Sequence, residues 1–140
     1  MADSLDNRIL EILKKDSRCP FVDIAARLGV SEGTIRSRVR KLTEDGTIRG
    51  FTIKTSSKNV KALVELRIDV TTDTEEIAKE LAEYSGGAEV YEVTGDQDII
   101  AIVDVESSHQ LNEIIEKVRH YDSIISTRTR LILKEHVGVI

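Results

Sequence analysis

The run Leu28-Gly29-Val30-Ser31-Glu32-Gly33-Thr34-Ile35-Arg36-Ser37-Arg38-Val39-Arg40-Lys41-Leu42 constrains this chain most, because it makes two helical patterns meet across a tight turn. Gly29 can take the positive φ that a sharp helix-to-helix turn needs. Ser31 suits the N-cap, its hydroxyl accepting from the free amides of the next turn, so a helix is expected from about Glu32. At roughly 100° per residue, Ile35, Val39 and Leu42 fall on one narrow stripe and Gly33, Arg36, Ser37, Arg40 and Lys41 on the far side. One side packs; the other is cationic and open.

The residues before and after this run extend the same logic. Leu5, Ile9, Ile12 and Leu13 follow helical spacing, with Asp3 or Ser4 as cap and Lys14 and Lys15 suited to the C-terminal turn. Asp16-Ser17-Arg18-Cys19 reads as a turn, and Pro20 is expected in the first turn of a second helix that buries Phe21, Ile24, Ala25 and Leu28. The basic helix should end at Gly46, a natural C′ residue. Thr47-Ile48-Arg49-Gly50-Phe51-Thr52-Ile53 then alternates apolar and polar residues, the pattern of a short strand or ribbon. Three short helices and a ribbon make a winged helix-turn-helix with the third helix as reader. The alternative is a small helical bundle whose Arg/Lys side is merely solvated. The short turn, the placed cap and an almost acid-free exposed side favour DNA.

Net charge is −5, which by itself argues against a nucleic-acid partner, but the charge is unevenly spread. Residues 1–54 hold eleven Lys and Arg against eight Asp and Glu, and residues 55–140 hold nine against seventeen, balances of +3 and −8. A basic binding module joined to an acidic module with another task is the expectation. With 40% hydrophobic and 32% charged residues, a soluble globular protein is expected rather than a disordered one. No apolar run approaches the ~18 residues of a membrane span, and the N-terminus does not read as a signal peptide. The single cysteine, Cys19, has no internal disulfide partner, so a cytoplasmic protein is expected.

Lys54-Thr55-Ser56-Ser57-Lys58-Asn59 is polar and short on large apolar groups. The expected boundaries are a DNA-binding domain over 1–54, a linker over 55–60 and a second domain over 61–140. In that domain Ala62, Val64, Leu66, Ile68 and Val70 alternate with Leu63, Glu65, Arg67 and Asp69 as a strand with one covered side. Asp73 with Glu76 is a capping-box pattern for a helix through Ile77, Ala78, Leu81, Ala82 and Tyr84, stopped by Ser85-Gly86-Gly87. Val90 to Thr94 is a second strand, Gly95-Asp96-Gln97-Asp98 a turn, and Ile99 to Val105 a third strand. Ser107 with Gln110 repeats the box before a helix lined by Leu111, Ile114, Ile115 and Val118, and Ile124 to Lys134 is the fourth strand. The fold class is therefore α+β, the helix-turn-helix followed by a ferredoxin-like βαββαβ sheet with helices on one side only. Val, Leu and Ile on both sides of strands such as Ile99-Ile100-Ala101-Ile102-Val103 would expose a large apolar surface, so pairing of two sheets across a two-fold is expected.

Over essentially its whole length the chain resembles the Lrp/AsnC (feast/famine) transcription regulators. Leu5-Asp6-Asn7-Arg8-Ile9-Leu10-Glu11-Ile12-Leu13 is similar to the family's opening helix and Ile24-Ala25-Ala26-Arg27-Leu28-Gly29-Val30-Ser31 to its helix-turn. Residues 35–42 with Asp45-Gly46-Thr47-Ile48-Arg49-Gly50-Phe51 resemble its recognition helix and wing. Val93-Thr94-Gly95-Asp96-Gln97-Asp98 resembles the turn that marks its effector-binding RAM domain. The resemblance implies a homodimer built through the RAM sheet, often stacked into tetramers or octamers, that binds operator DNA and responds to an amino acid. Pro20 departs from the family's usual Ser or Thr cap, and Ser85-Gly86-Gly87 from its commoner approach to the second strand.

The DNA-binding candidates are Ser31, Gly33, Thr34, Arg36, Ser37, Arg38, Arg40, Lys41 and Arg49. Ser31, Thr34 and the first amides of the helix suit phosphate, and Gly33 permits close approach. Arg36, Ser37 and Arg40 are placed for groove contacts, where an arginine donates twice to guanine. Arg38 lies nearer the apolar stripe, where a structural ion pair or phosphate contact competes evenly with base readout. Arg49 would reach backbone. Two such helices, one DNA turn apart in a dimer, imply a pseudo-palindromic double-stranded site.

The effector candidates are Thr94, Gly95, Asp96 and Asp98 in the RAM turn, with Thr127 and Thr129 on the last strand and Asp122 before it. Gly95 amides would hold a ligand carboxylate and a side-chain carboxylate its ammonium, although Asp96 and Asp98 are equally what a plain turn uses. No catalytic residue, metal site or cofactor is expected: His109, His120 and His136 are scattered and no Gly-rich phosphate loop follows a strand. Two alternatives remain. One is an enzyme like the sirohaem decarboxylases, which share the two-module plan; the other is an effector-free co-regulator or oligomerisation protein.

Overall fold

A computed structural model describes residues 3–56, 59–69, 74–84 and 89–136, and the chain divides into two units, residues 1–56 and 57–137. The first is built on α1 (Ser4–Lys15), α2 (Phe21–Leu28) and α3 (Glu32–Glu44). Each boundary has a local cause. Asp3 caps α1 in a reciprocal box with Asp6: Asp6 N donates to Asp3 Oδ1 at 2.9 Å and Asp3 N to Asp6 Oδ2 at 3.1 Å. Gly29 ends α2 in the left-handed conformation at φ 69° and ψ 34°. Beyond Glu44, Gly46 turns the chain at φ 82° while Ile48 N donates back to Leu42 O at 2.8 Å. Ile9, Leu13, Ile24, Ala25, Ile35, Val39, Leu42 and Ile48 form the core. Cys19 is buried with them.

Two expectations for this unit are corrected. Pro20 stands one residue outside α2, as its N-cap, and offers no side-chain acceptor to the first turn. Residues 47–53 form no strand. Only Ile48 reaches the core, while Phe51 and Ile53 are 53% and 74% exposed. Alternation alone does not make a ribbon; a strand needs a second to bond, and none lies beside this one among the described residues of the unit.

The second unit runs β1 (Val60–Ile68), α4 (Thr74–Tyr84), β2 (Glu89–Glu92), β3 (Ile99–Val105), α5 (Ser108–Arg119) and β4 (Ile124–Leu131). The sheet is antiparallel in the order β2-β3-β1-β4, the ferredoxin-like arrangement. Register fixes the sides: Ala62, Val64 and Leu66 of β1 stand opposite Val103, Ala101 and Ile99 of β3, and all six are buried against Ile77 and Leu81 of α4 and Leu111, Ile114 and Val118 of α5. β4 stops at Leu131, before Lys134, opposite Ala62; Ile132 N makes one last bond to Lys61 O at 2.9 Å. Ser107 caps α5 as expected, but Gln110 Oε1 accepts from Glu106 N, one residue beyond a true box. Asp73 and Ser85-Gly86-Gly87, expected as cap and stop of α4, lie outside the described residues.

The helix-free side of the sheet differs in chemistry from the expectation. Leu63, Ile100 and Ile102 are half-buried and Tyr91 half-exposed, and Lys61, Arg67, Asp104, Arg128 and Arg130 surround them. The apolar surface is a small patch in a charged frame. At its centre Glu65 is only 8% exposed; among the described residues its Oε2 has no hydrogen-bond partner and the nearest cation, Arg128 Nη1, is 3.7 Å away.

Candidate nucleic-acid interface and effector turn

The start of α3 is tied together by hydroxyls. Ser31 Oγ accepts from Thr34 N at 3.1 Å and lies 2.8 Å from Thr34 Oγ1. This cap leaves the amides of Glu32 and Gly33 at the exposed end of a helix, where the dipole favours phosphate. A Cβ built on Gly33 would meet nothing nearer than Ser31 Oγ at 3.9 Å, so the space above it is open to an approaching backbone.

Along the helix, Ile35, Val39 and Leu42 are buried and Gly33, Arg36, Ser37, Arg40 and Lys41 are exposed, the division expected from spacing. The cations are not equivalent. Arg36 is held by Glu32 at 2.6 Å and lies 5.5 Å over the Phe21 ring, an exposed pair and a cation–π contact that orient the guanidinium without burying it. Arg40 and Lys41 are in no ion pair among the described residues. Arg38 is bound to the carboxylates of Asp3 and Asp6. Its pKa is raised by the Asp3 hydrogen bond, and Asp3 is lowered first by the Asp6 amide and then by Arg38. Arg49 is exposed in the extended segment after α3. The Phe21 and Asp3 contacts carried no sequence signal, since each joins side chains from different helices.

The effector candidates lie in two places, Thr94, Gly95, Asp96 and Asp98 in the β2–β3 turn and Asp122, Thr127 and Thr129 before and along β4, the opposite edge strand. Val93 N donates to Asp98 O at 3.0 Å and closes the turn, with Thr94, Gly95 and Asp96 exposed at its tip. Asp98 is committed to the sheet: its N donates to Leu66 O at 2.8 Å and its Oδ2 accepts from Ile68 N at 2.7 Å, taking the place of a strand carbonyl where the ladder ends. Thr127 stands opposite Leu66 and Thr129 opposite Val64, on the helix side of the edge strand, and Asp122 is exposed in the turn before β4. One Asp98 oxygen is thus already used, whereas Asp96 is free of any such bond among the described residues.

Comparison with known proteins agrees with this architecture. A winged helix-turn-helix DNA-binding family model matches residues 3–49 and the Lrp/AsnC ligand binding domain model residues 61–138. The HTH-type transcriptional regulator LysM of Saccharolobus solfataricus is 39% identical over 133 residues, 94% of each chain. The regulator LrpA of Pyrococcus horikoshii is 36% identical over 139 residues, 96% of this chain and 99% of that one. The structure of AsnC from E. coli superposes with a TM-score of 0.69 at 28% identity, covering 99% of this chain and 96% of the other. The decarboxylase alternative finds no support in these matches. With a DNA-binding module ahead of an effector-type sheet, and relatives alike from end to end, the chain belongs to the Lrp/AsnC family of DNA-binding transcription regulators.

Proposed function

We propose that this regulator reads a pseudo-palindromic operator with α3. Ser31 and Thr34 take phosphate, Gly33 allows close approach, Arg36, Ser37 and Arg40 enter the groove, and Lys41 and Arg49 bind backbone. The observation that carries this is the division of α3 into a buried stripe and an exposed side bearing Arg36, Arg40 and Lys41 above a capped N-terminus. Selection of bound duplexes from a random pool tests it. Enrichment of a site with two inverted halves about one helical turn apart is expected; a pool that stays unenriched at moderate salt overturns it.

The second unit binds a small-molecule effector, an amino acid, with Thr94, Gly95, Asp96, Asp98, Asp122, Thr127 and Thr129 as its candidate contacts. It also joins copies of the chain through the helix-free side of the sheet into a dimer, tetramer or octamer in the cytoplasm. The exposed glycine turn with its carboxylates supports the ligand reading, and the patch around Glu65 supports assembly. Calorimetric titration with the twenty amino acids is the test for the ligand. Heat from one of them, lost in Asp96→Ala, is expected; silence with all twenty points to an effector-free regulator.

A further inference from the structure

The carboxylates at the start of α1 do more than cap it. Asp3 and Asp6 each give one oxygen to the other's backbone N–H, Asp3 Oδ1 and Asp6 Oδ2. The second oxygen of each, Asp3 Oδ2 and Asp6 Oδ1, turns to the same atom, Arg38 Nη1 on α3, the latter at 3.4 Å. One guanidinium therefore bridges two acids 35 and 32 residues earlier in the chain. The Arg38 side chain is 34% exposed and that of Asp6 10%. Moving Arg38 out to a phosphate would leave the Asp6 carboxylate nearly buried without its cation, a costly state.

From this we infer that Asp3 and Asp6 are positioning residues for DNA reading: through Arg38 they fix where α3 stands against α1, and Arg38 itself is withheld from DNA. The inference rests on α3 being the reading helix. Two rigid acids, each already locked by a backbone bond, hold Arg38 at the middle of α3. Arg36 and Arg40 flank it two residues to either side, so a displacement of this point moves both out of register with the groove. Base contacts depend on that register and phosphate contacts hardly at all.

The test is binding of the full chain to its selected operator and to a random duplex of equal length, over a range of salt. The variants are Arg38→Gln and the double change Asp3→Asn with Asp6→Asn, which keeps the capping oxygens. Circular dichroism verifies that each is folded at the temperature used. For a positioning role, both should weaken operator binding by about tenfold, the size of coupling within an ion-pair network. They should leave random-duplex binding and the salt slope unchanged, and adding Arg38→Gln to the double variant should cost nothing more. Were Arg38 a phosphate contact, Arg38→Gln would lower the magnitude of the slope by about 0.9 and weaken both duplexes, whereas removing two negative charges would tighten them; either sign overturns the inference. Folded variants with lower thermal midpoints but unchanged operator binding overturn it too, leaving a fold-stabilising pair only. If Arg36→Ala with Arg40→Ala also leaves operator binding intact, the failure belongs to the assignment of α3.

Discussion

Asp3 and Asp45 show how much of this protein is set by single side chains. The Asp6 amide and Arg38 hold the Asp3 carboxyl below its ordinary 3.8, and the Thr47 hydroxyl and amide do the same for Asp45. A carboxyl lowered in the folded state contributes stability fully above its ordinary pKa and loses it as pH falls through the lower folded value. The thermal midpoint of the first unit should therefore hold from neutrality to about pH 4 and fall below it. Asp3→Asn should start lower at pH 7 and converge on the parent in strong acid; a constant gap between the two curves would contradict this. Caps such as Asp3, Ser31 and Gly46 were legible in the sequence because their partners lie within a few residues. The grip of Asp3 and Asp6 on Arg38, or of Phe21 on Arg36, was not, because helix packing brings those groups together.

At the scale of elements, periodicity identified the three helices, β1 and β3, whose apolar faces the core then covers. It failed for residues 47–53, where the pattern is present and the bonding partner is not. It also could not tell a ligand carboxylate from a ladder carboxylate at Asp98, since both favour a turn. Asp98→Ala should lower the stability of the second unit by about 1–3 kcal/mol, the cost of stranding the Ile68 amide, with or without ligand. Denaturant unfolding measures it, and unchanged stability would show that the Asp98 carboxylate does not hold the end of the ladder. Gly33 offers the converse case on α3. Its space is open and its backbone helical, so Gly33→Ala should raise stability by about 0.5–1 kcal/mol while weakening operator binding. A variant that binds as well as the parent would show that no backbone approaches there.

For the whole molecule, the charge split of +3 and −8 anticipated two units with separate tasks. The expectation of a broad apolar sheet was too simple, because alternation sorts the residues of one strand but not the register that sets Arg128 and Arg130 beside Glu65 and Leu63. Placed together, Arg67, Arg128 and Arg130 ring a small apolar patch with Glu65 at its centre, so a copy paired there would be matched by charge as well as by area. Light scattering at micromolar concentration should report an assembly larger than a monomer, shifted toward monomer by Glu65→Arg, which sets like charge beside Arg128. A parent that is already monomeric would remove the sheet from the account of assembly.

Whether the exposed side of α3 reads DNA is tested by a gel shift on the selected operator comparing the parent with Arg36→Ala plus Arg40→Ala. Each side chain that reads a base should cost about 1–3 kcal/mol, so the double variant should lose the operator and retain only weak, salt-sensitive binding. An undiminished shift would contradict the claim.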